Sequence, residues 1–307
     1  MRRYLFWGAV IVLLAALPWL ATALGQGFYI DLARRIMIFG IAAVSLNLIL
    51  GYGGMVSFGH AAYLGVGGYA VAIFAFYGVH DGFLQWGVAI AASALVALAI
   101  GAVSIRTSGV YFIMITLAFT QMLYYLGISI EEYGGDDGIR LKSRSQFPLV
   151  DLADGVQFYY LVLALLLGAV YLTHRIVNSR FGMALRATKS NEARSRAIGF
   201  SPYPYRLAAF VIAGAMCGLA GALLANHTNY LTPDFMHWTR SGEIMFMVIL
   251  GGMATSAGPL LGASAFLLLE DVLSGWTEHW QVILGPLLVL SVLFFKRGLA
   301  GLLARHD

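Results

Sequence analysis

An all-α, polytopic membrane protein is the fold class this sequence predicts, and three observations predict it. Of 307 residues, 60% are hydrophobic and only 11% charged, against soluble averages of roughly 45–50% apolar and about 25% charged. Thirty-six glycines suit helices packed in lipid, where glycine is more frequent than in soluble helices. Apolar runs of about 20 residues, the length of one helical crossing, recur along the whole chain. With only seven prolines, the sequence is neither disordered nor collagen-like. One cysteine excludes an intramolecular disulfide framework and a cysteine-rich metal centre.

Taken in order, the crossings fall near 4–24, 30–50, 58–79, 85–105, 109–129, 157–176, 206–226, 243–253, 257–273 and 279–295. The eighth is too short to cross unbroken, so 243–273 reads as either a broken helix or a re-entrant hairpin, and the total as eight to ten. Met1-Arg2-Arg3 and Ala21-Thr22-Ala23 imitate a secretory signal. The intervening run exceeds a typical signal core and further spans follow, so it is read as a retained span.

With ten crossings and both termini cytoplasmic, the inner segments collect Arg2, Arg3, Arg106, Arg175, Arg180, Arg186, Lys189, Arg194, Arg196, Arg206, Lys296, Arg297 and Arg305, against Glu192 and Asp307 alone. The outer segments collect most of the carboxylates. Cytoplasmic loops carry excess Lys and Arg, so this asymmetry sets the orientation. It also accounts for the net charge of +4 without a nucleic-acid partner. Arg34 and Arg35 fit only if they sit at the outer interface. Residues 1–307 read as a single transmembrane domain with two longer loops, 130–156 outside and 177–205 inside.

Several chemistries have no footing here. No G-x-x-x-x-G-K-[ST] loop is present to hold nucleotide phosphates, and the seven histidines share no metal-ligand spacing. Ser57 near His60 lacks a neighbouring carboxylate to orient the histidine, which disfavours a catalytic pair. No cofactor is expected. The spans are nearly free of central ionisable residues, which weighs against ion coupling. Glu243 and Glu270-Asp271 fall at span ends, where interfacial hydration accounts for them.

Within 177–205, Ser190 is a candidate N-cap, Glu192 sits in the first turn, Gly199 follows the last, and Pro202 and Pro204 stop continuation. Ala193, Ala197 and Ile198 share one face. A helix of about two turns is too short to stand alone and must dock. Its arginines would suit anionic headgroups, but a small alanine-lined face fits a protein groove better than lipid.

Three groups of residues carry a resemblance. The first is Asn47-Leu48-Ile49-Leu50-Gly51-Tyr52-Gly53-Gly54-Met55-Val56-Ser57-Phe58-Gly59-His60-Ala61-Ala62-Tyr63. The second is Ser179-Arg180-Phe181-Gly182-Met183-Ala184-Leu185-Arg186-Ala187, continuing to Asn191-Glu192-Ala193 and Ala197-Ile198-Gly199. The third is Gly251-Gly252-Met253 with Gly258-Pro259 and Gly262, closed by Lys296-Arg297-Gly298-Leu299. In this order and spacing the chain resembles the permease subunits of branched-chain amino acid ABC importers, of the LivM type. It departs from the pattern at His60, where glutamine is frequent, and at Met183-Ala184, where glycine-arginine is.

The resemblance implies the ABC importer permease fold in a bacterial inner membrane. Its implied partners are a second homologous permease, two cytoplasmic ATP-binding subunits that hydrolyse ATP, and a periplasmic solute-binding protein that delivers solute. It also makes Ser190, Asn191, Glu192, Ala193, Ala197, Ile198 and Gly199 a coupling helix, 130–156 a periplasmic loop and 177–205 a cytoplasmic one. Arg140, Lys142 and Arg144 become candidates for docking the binding protein, with solvated loop charge as the plainer reading. Branched-chain amino acids, urea, amides and aromatic acids all stay open as cargo. A stand-alone secondary transporter is the alternative reading.

The pattern Gly-Gly-Met-x-Ser/Thr occurs at 53–57 and again at 251–255. Glycine-interrupted segments recurring in two halves point to a pathway, because broken helices expose backbone groups to a polar solute. On that reading Asn47, Gly53, Gly54, Ser57, His60 and Thr255 are candidate pathway residues. The other reading is that these glycines, like Gly214, Gly218 and Gly221, only let helices pack closely.

Overall fold

The computed structural model describes residues 14–22, 25–148, 150–277, 279–294 and 298–304. The expected cytoplasmic charges Arg2, Arg3, Lys296, Arg297, Arg305 and Asp307, and both termini, lie outside the described residues. A helical stretch covers 14–22. Twelve named helices follow: α1 (Gly27–Asn47), α2 (His60–Phe76), α3 (Gly82–Ser104), α4 (Val110–Ser129), α5 (Gly155–Val177), α6 (Arg180–Ser190), α7 (Glu192–Ala197), α8 (Pro202–Thr228), α9 (Trp238–Gly251), α10 (Gly258–Ser274), α11 (Trp280–Phe294) and α12 (Gly298–Ala304). A π-helical turn, Leu48–Tyr52, extends α1.

Among the described residues, five helices are long and apolar enough to cross a membrane: Gly27–Tyr52, α3, α4, α5 and α8. Helix α2 is apolar but shorter. The region 243–273 resolves into a helical hairpin. Gly251 packs on Gly258 and Gly262 on the Met247 carbonyl, so α9 and α10 run antiparallel in backbone contact. Helix α9 begins at Trp238, five residues before the expected start, and so places Glu243 in its second turn, paired with Arg240 at 2.8 Å.

The core is built around α8, which packs along α2 and α3 and also touches α1. Small residues allow this. A Cβ on Gly67 would collide with the Gly218 carbonyl, and one on Gly221 with the carbonyl of Leu64. With no hydrophobic drive between helices in lipid, such close backbone contact supplies the packing energy.

The loops segregate to two ends. At one, the segment after α4 is stitched down: β1 (Ile139–Arg140) pairs antiparallel with β2 (Tyr230–Leu231), just beyond α8. Ser145 N–H donates to Asn226 Oδ1 (2.8 Å), Trp86 Nε1 donates to Ser145 Oγ, and Ser145 Oγ donates to Gln85. Asp81 and Asp154 cap α3 and α5 there. The glutamate expected to be merely hydrated at a span end is paired instead: Glu270 Oε1 meets Arg35 Nη2 at 2.8 Å, and Arg34 meets Asp31 at 2.5 Å. An unpaired charge near lipid is costly, and a partner on a neighbouring helix is the cheaper solution. The other end gathers 52–59, the α3–α4 turn, α6, α7 and the α9–α10 turn.

Candidate functional site

The two glycine-interrupted segments meet at this second end. Helix α1 leaves regular geometry at its π turn, and the chain then runs without helix to His60. Asn47, the last residue of α1, points across to the other segment. Its Nδ2 donates to the Thr255 carbonyl (2.9 Å), and its Oδ1 accepts from Ala254 N–H (2.9 Å). Ala254 has φ 59°, a left-handed conformation that costs a side-chain-bearing residue about 1–2 kcal/mol. The asparagine clamp offsets that cost. Thr255 serves its own segment, donating to Gly252 O (2.7 Å) and accepting from Gly258 N–H (3.0 Å) at the start of α10.

The rest of the first break is held by hydroxyls from other helices. Phe58 C=O accepts from Thr120 Oγ1 (2.9 Å) and Ser241 Oγ (2.7 Å), and Phe58 N–H donates to Thr116 Oγ1 (3.2 Å). Ala61 N–H donates to Ser241 Oγ (2.9 Å), and Gly59 N–H to Ser57 Oγ (3.0 Å). Buried non-helical backbone needs partners for its N–H and C=O groups. Thr116, Thr120 and Ser241 supply them, and sequence reasoning missed all three. The available signal was a threonine pair four residues apart on the largely apolar α4.

Asn47, Ser57 and His60 are each at most 1% exposed. In this conformation they are closed off from solvent among the described residues. Their polar atoms serve the protein itself, except at His60. That ring stands edge-on to Tyr63 (5.6 Å between centroids), and among the described residues neither its nitrogens nor the Tyr63 hydroxyl finds a partner. No hydrogen bond joins Ser57 to His60 among the described residues. Gly54 is exposed and Thr255 half-buried. Below the break lies a cavity of about 120 Å³ lined by Gly54, Met55, Val56, Thr107, Phe112 and Arg206, among others.

The loop at this end is two helices. Ser179 caps α6, accepting from Gly182 N–H (3.4 Å). The expected cap of the short helix is corrected: Ser190 is the last residue of α6, and Asn191 caps α7, its Oδ1 accepting from Arg194 N–H at 2.8 Å. An N-cap needs extended backbone, and Asn191 (φ −161°, ψ 107°) is where the chain turns extended. Glu192 bridges Arg196 (2.6 Å) and Arg206 of α8 (2.8 Å). Partial burial by itself would raise the Glu192 carboxyl, but the two arginines outweigh it and hold it below the usual carboxylate range. Ala193, Ala197 and Ile198 stand exposed, and Gly199 ends the helix at φ 89°. Lys189, not singled out from the sequence, donates from Nζ to the Gly51 carbonyl at 2.6 Å.

At the opposite end, Arg140 closes β1 and the chain then bends through Lys142 and Ser143 to Arg144. They line a cavity of about 750 Å³ with Thr228, Asn229 and Tyr230. Arg144 is anchored, donating to Leu152 O (2.6 Å) and Asn229 Oδ1 (3.1 Å). Arg140 and Lys142 are exposed.

A family model described as branched-chain amino acid transport system / permease component matches residues 28–292. The high-affinity branched-chain amino acid transport system permease protein LivM of Salmonella typhimurium is 27% identical over 322 aligned residues, covering 97% of this chain and 75% of that protein. Its Escherichia coli K12 counterpart is 27% identical over the same shares. A probable branched-chain amino acid transport permease protein LivM of Methanocaldococcus jannaschii is 24% identical, covering 83% of this chain and 85% of its own. No solved structure matches this chain.

Proposed function

Since the chain belongs to the branched-chain amino acid transport system permease family, we propose that it is a membrane-spanning subunit of a binding-protein-dependent ABC importer, carrying branched-chain amino acids or related small polar solutes. The observation that carries this reading is the joining of two broken helices to a loop that ends in a short, exposed, capped helix. A helix interruption is where backbone can meet a polar solute, and a subunit without a nucleotide loop needs a handle for one that has it. Helix α7 is that handle.

The chain sits in the inner membrane with eight to ten crossings and both termini cytoplasmic, 177–205 facing the cytoplasm and 130–156 the periplasm. Excess Arg and Lys on the first loop supports this orientation. A second homologous permease completes the translocation unit, and two ATPase chains take the helix around Glu192, Ala193, Ala197 and Ile198. The cleft edged by Arg140, Lys142 and Arg144 receives carboxylates of a periplasmic solute-binding protein. Asn47, Gly53, Gly54, Ser57, His60 and Thr255 border the route and become lining only when the two breaks part.

Reconstitution tests this. The chain purified with its chromosomal neighbours is expected to retain ATP-hydrolysing subunits and, in proteoliposomes, to accumulate leucine only with ATP and binding protein. Accumulation driven by an ion gradient alone would overturn the reading.

A further inference from the structure

We propose that Lys189 is the positioning residue through which movement of α7 reaches the broken end of α1, an inference that rests on reading α7 as the ATPase-docking helix. Lys189 is the penultimate residue of α6, and only Ser190 and Asn191 separate it from Glu192. Its ammonium donates to the Gly51 carbonyl at 2.6 Å. That carbonyl lies in the π turn that ends α1, where helical carbonyls run out of amide partners and the dipole favours a cation. The lysine stem lies across Gly54, where a Cβ would stand 2.8 Å from Lys189 Cγ. Gly54 also takes φ 70°, so glycine both fits the turn and leaves room for the lysine.

The attachments on either side of Asn191 differ in kind. Glu192 ties α7 to Arg206, on an uninterrupted helix. Lys189, at the end of α6, ties the same loop to a helix end with no regular ladder between it and α2. Asn47, one turn before Gly51, carries the same displacement to Ala254 and Thr255 at the second break. A lysine kept only to satisfy the basic character of this loop needs no carbonyl partner 138 residues away.

The test uses the assembled transporter, with its second permease, ATPase subunits and binding protein, in proteoliposomes supplied with leucine, reading ATP hydrolysis and uptake together. K189M is expected to keep the ATPase subunits and hydrolyse at close to the parent rate, while solute carried per ATP falls about tenfold or more, within the usual range of coupling between sites. K189R restores most of the ratio. An unchanged ratio in K189M overturns the proposal, as does equal loss in K189M and K189R. If K189M does not assemble, K189Q, one bond shorter and unable to reach Gly51, is expected to show the same fall, and a normal ratio there also refutes it. Failure of the underlying reading shows separately: E192K would then leave ATPase association intact.

Discussion

Replacing Asn47 by leucine keeps the side-chain size and removes both hydrogen bonds that join the two breaks, each 2.9 Å long. The stranded partners are the Ala254 N–H and the Thr255 carbonyl, and each stranded buried group costs about 1–3 kcal/mol. Ala254 is exposed and Thr255 half-buried, so water recovers part of this, and a total of about 2 kcal/mol is the fitting figure. That corresponds to about a thirtyfold larger opening equilibrium at the second break. Hydrogen exchange on a peptide covering 252–257, with the protein in nanodiscs, reads it directly. The leucine variant should accelerate exchange at Ala254. Equal protection in the parent and N47L would refute the clamp.

Three further outcomes follow from the geometry. Glu192 is held below the usual carboxylate range, so its contribution to docking α7 on α8 is fully present above that range and is lost only as pH falls through its depressed value. Proteolysis near Arg194 should therefore be flat from pH 8 to about 5 and rise only in stronger acid. Gly221→Ala drives a methyl into the Leu64 carbonyl and should destabilise by about 1–3 kcal/mol, seen as a lower midpoint of thermal unfolding in detergent. Arg35→Met and Glu270→Gln each strand one member of a 2.8 Å ion pair, whereas the double variant strands neither. The double variant should be folded in higher yield than either single one, and additive losses would contradict the pairing.

Much of this architecture is legible from the sequence. The expected crossing at 109–129 is α4 at 110–129, and that at 157–176 is α5 at 155–177, because apolar length in lipid leaves few alternatives. Both breaks are visible as glycine pairs. What holds them is not. Thr116 and Thr120 also bond carbonyls of their own helix, Ile113 O and Thr116 O, which is what any threonine in a membrane helix does. Lys189 is hidden among a dozen other basic residues that the charge asymmetry gathers on one side. Ser190 and Asn191 are comparable caps one position apart, and only the backbone distinguishes them. The partner of Arg35 lies 235 residues away, beyond any local pattern. The small residues Gly214, Gly218 and Gly221 do pack helices closely, as their plainer reading held.

Helix α8 has 27 residues and therefore a length of about 40 Å. Near one tip Arg206 grips Glu192, and near the other Asn226 holds the loop that carries the basic cleft. Its tightest contacts, at Gly214, Gly218 and Gly221, fall near the middle. Geometrically such a bar is a lever: a tilt of about 10° around its midpoint would carry each tip roughly 3.5 Å in opposite directions. On the proposed function, loading by a binding protein at one face and ATP hydrolysis at the other would act as torques on this single axle.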